Sequence, residues 1–241
     1  MNRVKKIVGS IVAAIISNSI AFAQQKNFSL CGDTEEQIVK CAEINNHIKN
    51  QRYNLATIEL LEIEENCGLS SAGYIELVAI LSIQQDYIEA IKICKHWEGL
   101  SNLSNADKQQ CYDLLYTAYF LNEDYRNAQL YAEKLSSLCT GEQLTKVVFR
   151  LATCYQKQNN TYMAYTTFGK YTNMRLRDIN KTESDIIKHH VLDKDLGYAY
   201  MYICKYLAKN NDDSYINYLK LAAACNDKQA IQMCQQYNVY Y

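Results

Sequence analysis

Tyr53-Asn54-Leu55-Ala56, Tyr87-Ile88-Glu89-Ala90 and Tyr125-Arg126-Asn127-Ala128 repeat one pattern, Tyr-x-x-Ala, each after a helix-length run of apolar residues. Thr161-Tyr162-Met163-Ala164 is a variant of it. The four alanines recur at a spacing in the mid-thirties, the period of stacked helix–turn–helix units. One such unit cannot bury its apolar face alone, so neighbours stack and share a continuous core. An array of this kind presents a long surface rather than a catalytic pocket, which points to binding.

Working outward from these tetrads, the apolar periodicity predicts five helical hairpins. Helices are expected near 34–49 and 53–66, 71–84 and 87–98, 106–121 and 125–138, 142–158 and 161–177, then a long 184–209 with 213–224. A last helix near 228–237 closes the chain. Tyr112, Leu115 and Tyr119 share one face of their helix, and Ala128, Ala132 and Leu135 share a face of the next. The small alanines let the backbones approach while tyrosine and leucine fill the space between. Asn122-Glu123-Asp124, residues 157–160 and residues 209–213 hold side chains that compete for backbone hydrogen bonds and stop helices. The chain has no proline and only 8 glycines, which suits helices and not the many turns of a sandwich or barrel. The segment 172–195 breaks the period, either as an edge loop or as two over-long helices joined by a short turn.

The ends set the expected compartment. Arg3, Lys5 and Lys6 precede an apolar run over 7–20, and Ala21-Phe22-Ala23 follows it. This is the order of a secretory signal peptide over 1–23, cleaved after Ala23, with an extension over 24–33 and a repeat domain over 34–241. The run is too short and too polar to span a bilayer well. The net charge of −1 becomes more negative once those three cations leave. A mildly acidic chain argues against nucleic acid as a partner, since that binding is carried by clustered Lys and Arg. It also argues against docking on anionic lipid. The 10 cysteines fit an exported protein, where thiols pair and stay paired. No Cys-x-x-Cys occurs, so a zinc ribbon and a thioredoxin-like redox site lose their usual spacing.

The pattern resembles the tetratricopeptide repeat. That family carries a large residue, a leucine, a small residue and an aromatic along the first helix, then an alanine and an aromatic on the second. The fourth unit fits best with Leu151, Ala152, Tyr155, Ala164 and Phe168. The third has Tyr112, Leu115, Tyr119 and Ala128 with Tyr116 at the small position, and the second has Tyr74, Leu77 and Ala90 with Val78 there. The first has Glu43 where leucine belongs, and no unit has the family's closing proline. Residues 218–230, with their run of alanines before a short polar turn, are similar to the related Sel-like repeat. The resemblance implies an all-α, right-handed α-solenoid of about five antiparallel hairpins plus a C-terminal helix.

The resemblance also implies a groove lined by the first helices, at Ile75, Ala79, Asp113, Thr117, Phe120, Lys146, Phe149, Thr153, Gln156 and Tyr200. Lys146 and Arg150 match two positions of the clamp with which some family members hold a peptide's C-terminal carboxylate, while Ile75 and Ala79 stand where its Lys and Asn would be needed. Such a mixed groove suits an extended peptide or a partner's helix. Hairpin geometry places Cys41 near Cys67 and Cys111 near Cys139, Cys225 and Cys234 flank the last turn, and Cys154 and Cys204 fall at one level of consecutive first helices. These eight cysteines are the disulfide candidates, their connectivity left open, and Cys31 and Cys94 are left unpaired. His47 and His96 stand alone, and His189-His190 with Asp193 offers too few ligands for a metal. No cofactor or catalytic signature is expected, since Gly-x-Ser-x-Gly, His-Glu-x-x-His and phosphate loops are all missing. The chain therefore reads as a periplasmic or secreted scaffold for a protein or peptide. A cell-envelope enzyme or enzyme-modulating protein is the second reading. Self-association through the tyrosine-rich end, Tyr198, Tyr200, Tyr202, Tyr237, Tyr240 and Tyr241, is the third.

Overall fold

The computed structural model describes residues 35–101 and 103–241. The expected signal peptide, the extension after it and Cys31 lie outside the described residues. Twelve helices and no strand occur among the described residues. They are α1 (Glu35–Lys49), α2 (Tyr53–Cys67), α3 (Ser71–Ile83), α4 (Tyr87–Glu98), α5 (Asn105–Leu121), α6 (Tyr125–Ser136), α7 (Gly141–Lys157), α8 (Thr161–Asp178), α9 (Glu183–His189), α10 (Lys194–Lys209), α11 (Tyr215–Ala224) and α12 (Lys228–Gln236). The chain forms two compact units, the first ending at Asp124 and the second beginning at Tyr125.

One turn recurs between paired helices. After α3, Gln85 takes φ 64, and Asp86 N donates to Leu81 O at 2.9 Å. Glu123 (φ 61), Asn159 (φ 59), Asn211 (φ 58) and Asn226 (φ 66) repeat the conformation, each followed by Asp or Asn. The matching bonds run from Asp124 N to Tyr119 O and from Asn160 N to Tyr155 O, both 2.9 Å, and from Asp227 N to Ala222 O at 3.0 Å. A left-handed residue that returns the next N–H to an earlier carbonyl satisfies the helix's last orphan acceptors. The residue after it then starts the next helix. Asp86 accepts from Glu89 N at 3.1 Å and Asn160 from Met163 N at 3.3 Å. Three residues thus end one helix, reverse the chain and cap the next, so the partners run antiparallel.

In the first unit α1 packs on α2, α2 on α3, and α3 and α4 each on α5. The alanines of the repeating tetrads, Ala56 and Ala90, have no exposed surface. Leu60, Leu77 and Leu115 fill the space they leave, and Tyr74 stacks on Trp97 with centroids 5.5 Å apart and rings 8° from parallel. His47 pairs with Glu59 at 3.2 Å and His96 with Glu64 at 3.0 Å, so both histidines tie neighbouring helices to α2.

In the second unit α7 packs between α6 and α8, α10 lies on α8 and α11, and α12 closes on α11. Ala128, Ala152, Ala164 and Phe168 are fully buried. The long helix expected over 184–209 is instead two helices. His190 takes φ 48 and ends α9, and Asp193 caps α10 by accepting from Leu196 N at 3.0 Å. Arg175 on α8 donates to Asp193 Oδ2 at 2.7 Å and fixes the break. Fully buried Ile186 anchors α9, which packs on α11. The insertion is neither an edge loop nor a mere turn between long helices.

Candidate functional site

In the first unit the relevant surface belongs to α3 and α5, which pack side by side. Ile75 and Asp113 are partly exposed, while Ala79 and Thr117 retain only 6% and 7% of their surface. Thr117 turns its hydroxyl back to Asp113 O at 2.9 Å, so it offers little to a partner. Phe120 is half-exposed and lies 5.6 Å from the Tyr116 ring. Beside Ile75 sits Glu76, a half-buried carboxyl pushed up to about 7 by burial alone. Sequence reading passed over Glu76, although it holds the same place on α3 that Arg150 holds on α7.

In the second unit the surface is that of α7. Lys146 is exposed and pairs with Glu142 at 3.4 Å, and the same carboxylate reaches Arg175 at 3.5 Å. One turn on, Arg150 is set deep enough that burial lowers its guanidinium to about 10. The two cations of the expected clamp therefore differ in kind, one exposed and one half-buried. Phe149 joins an aromatic group with Phe168 at 5.7 Å, Tyr171 at 4.9 Å and Tyr198 at 6.1 Å. Thr153 bonds to Phe149 O at 2.9 Å, and Gln156 accepts from the Tyr198 hydroxyl at 2.7 Å. Lys146, Phe149, Thr153 and Gln156 thus share one face of α7, part wet and part aromatic.

Tyr200, expected in the groove, is fully buried. Glu183 of α9 and Tyr218 of α11 face it, so the inserted helix covers this position. Burial and the Glu183 carboxylate push its phenol well above the ordinary value.

None of the candidate pairs is bonded in this structure. Cys67 is exposed and donates to Ile63 O of its own helix at 3.4 Å, while Cys41 is buried. Burial pushes the Cys154 thiol up to about 12 and Cys204 up to about 11. Cys204 feels Cys234 and not Cys154 as its sulfur neighbour. Cys225, also about 12, lies against Gly197 near the start of α10. Buried neutral thiols of this kind behave as small apolar side chains.

His189 and His190 do not converge with Asp193, whose carboxylate is taken by Arg175 and the α10 cap. No cluster of three metal-ligating side chains occurs among the described residues. No helix there is long and apolar enough to cross a membrane.

No family model and no curated protein matches the chain. Among solved structures, one titled "MamA MSR-1 C2" superposes with a TM-score of 0.56 over 81% of this chain and 99% of that one, at 12% identity. The fold is of the tetratricopeptide type. MamA is itself a tetratricopeptide-like helical-repeat protein. The likeness shows the fold, and says nothing of what the α3, α5 and α7 faces hold.

Several exposed large apolar side chains lie elsewhere, with others at Val39, Leu100, Leu192, Tyr237 and Tyr240. In the first unit Leu55, Ile58 and Ile88 lie on the second helices of their hairpins, and in the second unit Leu130, Tyr162 and Ile216 do the same. All but Ile216 share a helix with a tetrad alanine, and they stand on the side turned away from the core. For Leu55, Ile58, Ile88, Leu130 and Tyr162 the helical offset from the tetrad alanines was the signal in the sequence.

Proposed function

We propose that this chain is an exported helical-repeat scaffold that holds a protein or peptide partner, in the periplasm or outside the cell, and carries out no catalysis. The observation that carries this reading is the mixed face of each unit's first helices. On α3 and α5 these are Ile75, Glu76, Asp113 and Phe120, and on α7 they are Lys146, Phe149, Thr153 and Gln156. Rings, hydroxyls, an amide and charges of both signs at the turn spacing of a helix suit an extended peptide or an amphipathic helix. The charged start, apolar run and Ala21-Phe22-Ala23 support export. An enzyme reading would lean on Glu76, but burial is the one cause of its shift. A working acid–base pair leaves the mark of a second charge.

Affinity capture with the oxidised full chain from envelope extract, read by mass spectrometry, tests the reading. Lys146→Glu and Ile75→Arg are the paired controls, one for each unit. Arg150 is left intact because a glutamate at its depth would bury an uncompensated charge. A partner held by the native chain and lost with either variant supports the scaffold and names the unit that binds. A capture that both variants leave unchanged, or no specific partner, contradicts it. Amino-terminal sequencing of the exported protein should begin after Ala23.

A further inference from the structure

We propose that Cys94 and Cys111 form a disulfide that staples α4 to α5 inside the first unit. Cys111 Sγ lies 3.4 Å from the main-chain oxygen of Cys94 and donates to it, so one residue's sulfur rests against the other's backbone. Both side chains have 0% exposure, and the helices that carry them pack on one another. The sequence alone left Cys94 over and sent Cys111 toward Cys139. Placement in the fold reverses that choice, because α4 and α5 belong to consecutive hairpins and their cysteines meet in the seam between them. Cys94 responds to Cys111 electrically as well: burial holds its thiol well above the ordinary value, and the neighbouring sulfur raises it further. Both are free thiols in this structure, and the bond requires the two side chains to turn toward one another within ordinary disulfide geometry.

The chemistry is thiol–disulfide exchange, and the oxidant is a disulfide such as glutathione disulfide or the disulfide of an oxidoreductase. One cysteine, as the thiolate, attacks a sulfur of the oxidant and releases that partner's other half as a thiolate. The second cysteine then attacks the mixed disulfide at the first cysteine's sulfur. The Cys94–Cys111 bond forms, and the remaining half leaves as a second thiolate. Two electrons pass from the chain to the oxidant, and the two thiol protons end on the released thiols. Because the pair is sealed in the folded unit, exchange takes place before α4 and α5 close, and the finished bond is then shielded from reductants. This inference does not depend on what the α3, α5 and α7 faces bind.

The test is a disulfide map. The full chain is reduced, unfolded and refolded in a glutathione and glutathione disulfide buffer. Remaining thiols are blocked under denaturing conditions, and the protein is cut with trypsin without reduction. The expected product joins residues 93–95 to residues 109–126, lighter than the two peptides by two hydrogens and lost on reduction. In Cys94→Ala the 109–126 peptide should appear singly, with Cys111 blocked. The same map on the chain purified after production in an oxidising compartment should give the same link. Cys94 and Cys111 both recovered as blocked thiols, or Cys111 joined to any other cysteine, overturns the proposal.

Discussion

Replacing Glu76 by glutamine should stabilise the protein, and only above a defined pH. The carboxyl lies at about 7 in the fold against an ordinary value of about 4.5. The folded state therefore binds the proton more tightly than the unfolded state does between those two values. Stability contributed by the protonated form is fully present below about 4.5. It falls as pH rises and is lost once the folded group ionises near 7. At about 1.4 kcal/mol per pK unit the shift corresponds to a ceiling of about 3 kcal/mol, and water at the partly exposed carboxyl reduces this to about 1–2 kcal/mol. Glutamine keeps the shape and removes the charge. Urea unfolding of both proteins at pH 5, 6, 7 and 8 should give nearly equal stabilities at pH 5. The glutamine variant should lead by about 1–2 kcal/mol at pH 8. Other raised carboxyls such as Glu183 tilt both curves alike, so the difference reports Glu76 alone. A difference that does not change with pH, or a variant less stable at pH 8, would refute the reasoning.

Three further outcomes follow from the turns and the insertion. Gln85→Gly should raise stability by about 0.5–1 kcal/mol in urea unfolding, because Gln85 holds φ 64 and glycine enters that region freely. Gly197→Ala should lower it by about 1–2 kcal/mol despite alanine's better helix propensity. The added methyl would meet Cys225 Cβ at 3.1 Å, and Cys225 is itself buried with its main-chain oxygen 3.5 Å from the same methyl. Asp193→Ala should cost about 2 kcal/mol, since it removes both the α10 cap and the partner of Arg175. Hydrogen exchange should then speed up in the first turn of α10 before the rest of the second unit.

The repeat was readable because its period and its burial have one cause. Ala56, Ala90, Ala128 and Ala164 all have no exposed surface, and the spacing that marks them is the spacing at which helix pairs must approach. The turns were readable too, since Asp and Asn stand where the chain reverses and caps. The break at His190 was not. The segment around it has helix-forming composition, and what divides it is Arg175 reaching Asp193 from another helix. That same break hid the fate of Tyr200. A register carried over from the earlier units puts Tyr200 in a groove, but α9 brings Glu183 against it and buries it. Arg150 shows a subtler limit. Its spacing puts it one turn on from Lys146, yet depth depends on neighbours from other helices that no local pattern records. The cysteines failed for a related reason. Helix ends were placed well, but which way each thiol points within the core is decided by packing.

The central claim is that a partner sits on the first-helix faces and not on the exposed apolar side chains of the second helices. A photo-crosslinking residue placed singly at positions 75 and 146, and at the exposed positions 58 and 162, tests it in the presence of envelope extract. The account predicts one partner adduct from position 75, 146 or both, and none from 58 or 162. Adducts confined to 58 and 162, or none from any of the four, would contradict it.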